Sequence, residues 1–521
     1  MTRTERPPRL TSAERTTRGL LAPALLVAAW ALLGALVGLL LAQLAPPTSS
    51  LGWIALAAVA PVVALALLTG LRHVVLLVAA RRAVPSGPTG RDGNAGERVA
   101  LLYPVSDDFR ADVVRRSAAQ SHPGTRTVVL DDSSAAATRA RIDALVAEGG
   151  IELHRRAVRE GAKAGNLNSW LEGHGHEVDR VVVLDADQEI PTDFVEGALA
   201  RFATHPDAAV VQGAIDTRRS GSPFVRDFGG LFARHAAVQL AGREALGVSV
   251  FCGRGAMLDV AALREVGWFP ELVMEDTALS VELARRGHRV VAAPELRSVE
   301  DAPVDHAAFA VQFGKFVEGA VQLLARRSRS LLDARLPWLR RADLVLDLLV
   351  PVLAAILPLV LFAYSLVAAA TAAEAFPWQL GLVLGALGLA PLAPEAAHRV
   401  RSTGLAAGLG FTVRAAMLYA SVSVVAARAV LVVLVSGRAR FHVTPKAGAA
   451  DGAVAVVQRR GLEIAVAAAA TAVAGVAVER PDAALPFVAI AAAGLAFGWR
   501  DARELQPVRA GVGAGGHARS N

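Results

Sequence analysis

Long apolar runs at both ends of the chain, around a segment of mixed polarity, limit what this sequence can fold into. A helix of about 20 apolar residues is long enough to cross the hydrocarbon core of a bilayer. Stretches of suitable length occur at residues 20–45, 51–80, 344–373, 378–396, 462–478 and 483–499. Residues 98–330 between them have the mixed composition of a globular domain. The sequence therefore predicts a soluble domain inserted between transmembrane helices.

The positive charges indicate on which side of the membrane this domain lies. The chain has 54 lysine and arginine residues and a net charge of +7, and many of the arginines flank the apolar stretches. Because lysine and arginine accumulate in cytoplasmic loops, we expect a multi-pass plasma-membrane protein whose middle domain is cytosolic. Membrane lipids then account for the basic composition, and no nucleic-acid partner is expected. The single cysteine, Cys252, excludes an internal disulfide bond.

Residues 405–435 do not fit this pattern simply. They are apolar but include Arg414 and Arg428, and both of their flanks are basic. An even number of crossings keeps both flanks in the cytosol. We therefore predict one helix that lies at the cytosolic interface, where arginines reach lipid headgroups. A single buried crossing is the alternative, and it would place the following loop outside.

The middle segment alternates short β-branched runs with helical patterns, which is typical of an α/β domain with a largely parallel sheet. The predicted strands are residues 99–105, 127–130, 151–155, 180–184 and 208–212, and the predicted helices are 111–121, 135–148, one after Lys163, and 191–202. Three of the strands are followed by acidic pairs: Asp107 with Asp108, Asp131 with Asp132, and Asp185 with Asp187. Ligands bind beyond the carboxyl ends of strands in such sheets. These carboxylates are therefore candidate site residues.

Two of these acidic residues have the chemistry of a metal site. Asp185 and Asp187 stand in an Asp-x-Asp sequence at the end of a predicted strand. Hard carboxylate oxygens suit Mg²⁺ or Mn²⁺, which leave coordination positions open for substrate phosphates. Asp-x-Asp is also common in turns and helix caps. On its own, the motif is weak.

A further acidic pair, Glu275 and Asp276, opens a predicted helix that runs through Ala284. Acidic residues in a first helical turn are favoured by the helix dipole, so capping is one interpretation. The other is a general base, since a carboxylate near a bound substrate can accept a proton from a hydroxyl group. The residues of this motif alone leave both open.

Taken together, the motifs resemble glycosyltransferase family 2, and most closely its membrane branch that includes bacterial cellulose synthase catalytic subunits. The matching sequences are Val-Val-Leu-Asp131-Asp132, Lys163-Ala-Gly-Asn166, Leu-Asp185-Ala-Asp187, Phe251-Cys-Gly253, Met274-Glu-Asp276 and Arg440-Phe-His-Val-Thr-Pro-Lys446. The resemblance runs from about residue 99 to residue 446. It implies a GT-A (Rossmann-like) domain that binds a nucleotide-sugar.

The resemblance also implies a role for each matching residue. Asp131 and Asp132 would contact the base and ribose of the nucleotide, Lys163 and Asn166 would line the donor site, and Asp185 and Asp187 would bind the nucleotide-sugar and the metal ion. Asp276 would be the catalytic base. Phe441, Thr444 and Lys446 would belong to a gating loop that closes over the donor.

One motif departs from the family pattern. Processive members carry Q-x-x-R-W on an interfacial helix, where this chain has Gln312-Phe-Gly-Lys315-Phe316. Lysine offers a positive charge to a diphosphate but lacks the planar fork of arginine. Phenylalanine stacks on a sugar but lacks the indole N–H of tryptophan. Processive synthesis of a long polymer is therefore in doubt.

The expected organisation follows from these assignments. The parts are a basic cytosolic tail (1–19), a transmembrane helix pair (20–82), a linker (83–97), a catalytic domain with an interfacial helix (98–330), a second helix pair (331–396), an interfacial helix and gating loop (397–447), a third helix pair (448–500) and a cytosolic tail (501–521).

The expected function is an inverting transfer of a sugar from a nucleotide-sugar, with UDP as the expected nucleotide, to a polysaccharide or lipid-linked acceptor. A non-processive enzyme acting on a lipid or polyprenyl phosphate is the first alternative. A transporter or scaffold whose middle domain has lost activity is the second. Intact Asp185, Asp187 and Asp276 argue against the second.

Overall fold

The computed structural model describes residues 50–82, 96–218, 222–333, 335–370, 386–439, 457–458, 460–477, 484 and 487–500. The strands in these residues are β1 (Val99–Val105), β2 (Thr125–Asp131), β3 (Ile151–His154), β4 (Arg180–Val183), β5 (Ala208–Thr217), β6 (Ala256–Asp259) and β7 (Arg289–Glu300). The helices of the middle domain are α2 (Ala111–Ala118), α3 (Ala136–Ala147), α4 (Ala162–His174), α5 (Phe194–Thr204), α6 (Pro223–Leu246), α7 (Val260–Val266), α8 (Glu275–Arg285) and α9 (His306–Leu331).

Apolar helices lie on either side of this domain in the chain. They are α1 (Ser50–Arg82), α10 (Trp338–Ala370), α12 (Leu405–Ser421), α13 (Ser423–Ser436), α14 (Gly461–Ala477) and α15 (Phe487–Arg500). A more polar helix, α11 (Ala393–Thr403), follows a short 3-10 helix at Ala390–Leu392.

The strands form one mixed sheet with the order β3-β2-β1-β4-β6-β5-β7. The first four of these strands in the sheet are parallel, β6 is antiparallel to both of its neighbours, and β5 and β7 are parallel to each other. The predicted α/β class with a largely parallel sheet is therefore confirmed. Most predicted boundaries differ by a few residues, and β5 is longer than predicted, because it continues to Thr217 alongside β7.

Both faces of the sheet are buried, which explains why its strands are nearly continuous apolar runs. On β1, Leu101 and Tyr103 belong to one core with α2, α3 and α5, while Ala100 and Leu102 belong to the other with α4, α7 and α8. The side-chain period of two along a strand places successive residues on opposite faces. The domain is thus a three-layer α/β/α structure.

The apolar helices pack directly on this domain. Residues of α8 and α9 share an apolar cluster with α10 and α13, and residues of α6 and α9 share an aromatic cluster with α12 and α15. Helix α1 crosses α6 at close range, because a Cβ at Gly242 would lie 2.5 Å from the carbonyl oxygen of Leu76. Within the described residues, three helical segments are long and apolar enough to cross a membrane: Ser50–Arg82, Trp338–Tyr364, and Leu405–Ser436, which joins α12 and α13.

Two predictions about the apolar segments need correction. Residues 405–435 do not form one helix, because the backbone at Val422 leaves the α-helical range (φ −99°, ψ 2°) between α12 and α13. Near the break, Ser421 Oγ bonds to the carbonyl oxygen of Leu418, and such side-chain bonds compete with the helix ladder. The predicted span 378–396 is interrupted by the 3-10 turn at Ala390–Leu392, and its first part lies outside the described residues.

Candidate active site

The acidic pairs of β1, β2 and β4 meet at one edge of the sheet. These three strands are parallel neighbours, so their carboxyl ends point the same way. Asp107 receives hydrogen bonds from the loop after β2, at 2.6 Å from Ser134 Oγ and 2.9 Å from the Ala135 amide. The parallel pairing of the three strands therefore places these acidic pairs at one edge of the sheet.

Lys163 connects this edge to the other half of the site. Its Nζ donates to Asp185 Oδ1 at 2.5 Å and to the carbonyl oxygen of Gly253 at 2.9 Å. The side chain is placed by the tight start of α4, where Gly161 and Ala162 both have positive φ. Burial alone would lower the pKa of Lys163, but the charges of Asp185 and Glu275 raise it. At neutral pH the lysine is therefore a cation in the cleft.

Asp276 lies on the opposite side of Gly253. A Cβ at Gly253 would be 3.3 Å from Asp276 Oδ2, so only glycine allows this approach without displacement. Asp276 Oδ1 accepts from the Thr277 amide at 2.7 Å, and the N-cap residue of this helix is Met274, so Asp276 lies in the first turn and not at the cap position. Its second oxygen is the one near Gly253. Burial raises the pKa of Asp276 and raises that of its neighbour Glu275 to about 7.

The acidic pair Asp131 and Asp132 is held by arginines that the sequence analysis did not single out. Arg155 Nε donates to Asp131 Oδ2 at 2.7 Å, and Arg156 forms two bonds to Asp132, at 2.9 and 2.6 Å. Both arginines follow β3, the parallel neighbour of β2. A basic pair after one strand beside an acidic pair after the next was the signal that could have found them.

Asn166 occupies the buried floor of the same region. It is 1% exposed, and its Nδ2 donates to the carbonyl oxygen of Leu130 at 2.8 Å. Its Oδ1 has no hydrogen-bond partner in the described residues. This amide joins α4 to the end of β2 and therefore fixes Lys163 relative to Asp131.

Asp185 and Asp187 are the residues that could hold a divalent cation. Asp185 is partly exposed to the cleft, whereas Asp187 is buried and accepts from the Asp301 amide at 3.0 Å. The described residues contain no group of three or more His, Cys, Asp or Glu side chains arranged around one metal position. Mg²⁺ is usually held by one or two carboxylates together with substrate phosphates, and two aspartates fit that mode.

The residues of the Q-x-x-R-W position lie on α9, which packs against the start of α8. Gln322 Oε1 on α9 accepts from the Val273 amide at 3.2 Å, just before the Glu275–Asp276 pair. Lys315 and Gln312 are half-buried and Phe316 is 44% exposed. Burial lowers the pKa of Lys315, against the opposing effect of Asp185. Lys315 is therefore electrostatically part of the cleft.

The predicted gating residues Phe441, Thr444 and Lys446 lie outside the described residues. Their role stays a prediction. The sequence analysis also missed Arg254 and Glu300, which form a bidentate pair beside Asp185. Glu300 is the last residue of β7. The rule that identified the other acidic residues at strand ends could therefore have identified Glu300.

Comparisons with known proteins find relatives for the middle of the chain. A family model described as "Glycosyl transferase family group 2" matches residues 180–391, which include the Asp185 and Asp276 motifs. Over these residues, which make up less than half of the chain, the sequence is similar to glycosyltransferase family 2. A relative from Cereibacter sphaeroides named "Glucans biosynthesis glucosyltransferase H" is 27% identical over 270 residues, which cover 46% of this chain and 45% of that protein. A "Probable glycosyltransferase" of Sulfolobus acidocaldarius is 26% identical over 204 residues, covering 38% and 43%.

Among solved structures, the chain is similar to "Mannosyltransferase PcManGT from Pyrobaculum calidifontis in complex with GDP-Man and Mn2+". The two are 22% identical, with a TM-score of 0.48 over 73% of this chain and 99% of that one. The chain spans less than half the length of the curated relatives described above.

Proposed function

We propose that this chain is an inverting membrane glycosyltransferase of GT-A type that transfers a sugar from a nucleotide-sugar to a hydroxyl acceptor. The observation that carries the proposal is the convergence of Lys163, Asp185 and Asp276 around Gly253. A cation, a strand-end carboxylate and a half-buried carboxylate with a raised pKa are thereby brought into one cleft. Perturbed ionisable groups in a cleft are typical of catalytic sites.

The proposed reaction is a single displacement. Asp276 Oδ2, the oxygen that faces Gly253, accepts the proton of the acceptor hydroxyl. The hydroxyl oxygen forms a bond to the anomeric carbon on the side opposite to the diphosphate. The bond between that carbon and the diphosphate oxygen breaks, and the diphosphate leaves with the electron pair. One displacement inverts the configuration of the anomeric carbon.

The cations of the cleft would act on the departing diphosphate. Lys163 lies at the start of α4, so its charge and the positive end of that helix favour an anion at the same place. Asp185 and Asp187 would hold Mg²⁺ or Mn²⁺, which neutralises charge on a leaving diphosphate when bound. Cys252 is not expected to act as a nucleophile, because burial raises the pKa of its thiol to about 11.

The proposed donor is a UDP-sugar, and the proposed acceptor is a polysaccharide or a lipid-linked hydroxyl. Asp131 and Asp132 would contact the base and ribose, Asn166 would line the donor site, and Gln312, Lys315 and Phe316 would also belong to the nucleotide-sugar site. Because Lys315 and Phe316 replace arginine and tryptophan, a non-processive lipid or polyprenyl-phosphate glycosyltransferase is the second candidate. The inactive scaffold is not favoured, because the site residues are intact.

The proposed location is the plasma membrane, with the active site facing the cytosol. Helices α8 and α9 support this arrangement, since the elements that carry Asp276 and Lys315 also pack on the apolar helices α10 and α13. An acceptor held at the membrane surface would then meet the donor at the same helices. Phe441, Thr444 and Lys446 would close over the donor from the membrane side.

The proposal is tested with the purified full-length chain in lipid vesicles. UDP-sugars and GDP-sugars are supplied in turn with Mg²⁺, Mn²⁺ or EDTA, and the release of nucleoside diphosphate and the product mass are measured. We expect release with at least one UDP-sugar, a product heavier by one or more sugar units, and loss of both with EDTA. Absence of release with every donor, in a preparation that is folded, would contradict the proposal.

A further inference from the structure

Arg254 lies at the centre of the cleft, in the loop between α6 and β6. The residues on either side of it, Gly253 and Gly255, both have positive φ, at 79° and 62°. A Cβ at Gly255 would lie 2.8 Å from Gln188 Nε2 and from Ser298 Oγ, so the backbone packs closely on these side chains and a larger residue would not fit without displacing them. The conformation of the loop therefore fixes the point from which the Arg254 side chain starts.

The guanidinium group makes three hydrogen bonds to two partners. Glu300 accepts two bonds from it, one from Nη2 at 2.6 Å and one from Nε, and Nη1 donates to the carbonyl oxygen of Cys252 at 3.1 Å. Bidentate arginine–carboxylate pairs are geometrically specific as well as strong. The side chains of Arg254 and Glu300 are 26% and 18% exposed. Arg254 is thus oriented before any ligand enters.

The same guanidinium group reaches Asp185. Its Nε lies 3.4 Å from Asp185 Oδ2, while Lys163 Nζ holds Oδ1 of the same carboxylate at 2.5 Å. Two different cations therefore contact the two oxygens of one aspartate. The residue before Arg254 is Gly253, whose carbonyl oxygen binds Lys163 and whose Cα faces Asp276.

We propose that Arg254, clamped by Glu300, is a positioning residue that fixes Asp185 for binding of the nucleotide-sugar. The inference rests on the proposed function of the cleft. When a diphosphate enters, Lys163 has a second anion to contact, and Asp185 then depends on Arg254 to keep its orientation and to balance its charge. Glu300 acts only through Arg254, because it holds the guanidinium group in this place.

The test uses four variants and one control variant of the full-length protein in lipid. Arg254→Gln removes the charge, Arg254→Lys keeps a charge without the planar fork, and Glu300→Gln weakens the clamp. Arg254→Gln/Glu300→Gln completes a double-mutant cycle. Arg297→Gln is the matched control, since Arg297 also pairs across β7 with an aspartate, Asp216, at an exposed position away from the cleft. Circular dichroism and size-exclusion profiles confirm folding.

Two quantities are measured for each variant: the Kd for UDP, by competition with a fluorescent nucleotide, and the KM and kcat for the donor that the wild type uses. We expect Arg254→Gln to raise Kd and KM by about 10-fold or more, with a smaller change in kcat, since a bond between charged groups is lost. Arg254→Lys is expected to be intermediate. The double variant is expected to bind UDP no more weakly than Arg254→Gln, because Glu300 works through Arg254.

The inference is overturned if Arg254→Gln binds UDP within two-fold of the Arg297→Gln control, or if the two single variants have additive effects. Failure of the proposed function has a different signature. In that case the wild type transfers no sugar from any donor, while the UDP measurements still report on Arg254. A wild type that does not bind UDP contradicts both.

Discussion

Lys163 Nζ lies 2.5 Å from Asp185 Oδ1 and 2.9 Å from the carbonyl oxygen of Gly253, and so joins the start of α4 to the end of β4 and to the loop before β6. One side chain thereby connects the first half of the sheet, where the proposed nucleoside site lies, with the loop that faces Asp276. Lys163 is thus held in place by Asp185, the carboxylate that is proposed to bind the donor.

Lys163→Gln is therefore expected to weaken nucleotide binding more than it changes the fold. It removes the cation beside Asp185 and leaves that carboxylate to repel the diphosphate. We expect the Kd for UDP to rise by about 10- to 100-fold, as for loss of a charged hydrogen bond. Competition with a fluorescent nucleotide measures it. Lys163→Arg keeps the charge, and its Kd should lie between those of the wild type and Lys163→Gln. An unchanged Kd in Lys163→Gln would show that the lysine is not part of the donor site.

Arg72 is expected to be essential for joining α1 to the middle domain. Its Nε lies 2.7 Å from Asp343 Oδ1 on α10, and Arg243 Nε on α6 lies 3.0 Å from the other oxygen of Asp343. The side chains of Arg72 and Asp343 are only 4% and 6% exposed. Removing one member of a buried pair leaves an uncompensated charge and costs about 3–5 kcal/mol.

Thermal unfolding in detergent tests this second prediction. Arg72→Gln should lower the Tm clearly, and Arg72→Gln/Asp343→Asn should recover part of the loss, because it removes the excess negative charge that the loss of Arg72 leaves beside Arg243. Arg98→Gln is the control, since Arg98 pairs with Asp179 at an exposed position and such pairs contribute little. Equal Tm values for Arg72→Gln and Arg98→Gln would show that the ion pairs of Asp343 with Arg72 and Arg243 do not hold the helices together.

The third prediction concerns the side of the membrane on which residues 440–447 lie. Arg414 on α12 lies 3.8 Å from Asp227 on α6, so α12 contacts the middle domain. A single crossing by residues 405–435 would place arginine in lipid at a cost of ~2.5–3.5 kcal/mol on insertion scales. We therefore expect the loop after α13 to lie on the same side as the active site.

Single cysteines at the two places measure this topology. Ala447→Cys and Ser222→Cys are made separately in a Cys252→Ser background, and an impermeant thiol reagent is added to intact cells. Both cysteines should react only after the membrane is opened. Reaction of the cysteine at position 447 from outside would exclude the gating loop and favour a net crossing.

Much of the fold was predictable because it depends on local patterns. β-branched runs alternating with helical ones indicated the parallel strands, and parallel strands necessarily bring Asp131 and Asp185 to one edge. The antiparallel strand β6 was not predicted, since Ala256–Asp259 is short and its pairing with β4 and β5 is set by tertiary contacts. The break at Val422 was also missed, because the apolar pattern continues across it.

The site was predictable residue by residue but not in its pairing. Lys163, Asp185 and Asp276 were found from motifs. The pairing of Arg254 with Glu300 was not found, because the two residues are far apart in sequence and meet only where β7 ends. Ion pairs between distant strands depend on rotamers and on register, and a single sequence does not report either.

The pH dependence of transfer is expected to reflect the coupled pair Glu275 and Asp276. Burial raises the pKa of both carboxyl groups, that of Glu275 to about 7, and the negative charge of Asp276 also raises the pKa of Glu275, so the two groups titrate as a coupled pair. The base must be deprotonated to act, so activity is lost as the pH falls through the raised pKa. Removing the charge of Glu275 stabilises the deprotonated form of Asp276.

In a profile of kcat/KM against pH, Glu275→Gln should therefore move the acid limb to lower pH than in the wild type. Glu265→Gln, which changes an exposed glutamate paired with His288, is the control and should leave the limb in place. An acid limb that stays fixed in Glu275→Gln, or moves to higher pH, would show that Asp276 does not titrate as the base.

The most direct test of the proposed mechanism is single-turnover transfer by Asp276→Asn, with the donor prebound. If Asp276 is the general base, the Kd for the donor should stay near that of the wild type, while the rate of transfer from the bound complex falls by about 10²- to 10⁴-fold. A variant that binds the donor poorly but transfers at the normal rate once bound would instead identify Asp276 as a helix-capping residue and contradict the account.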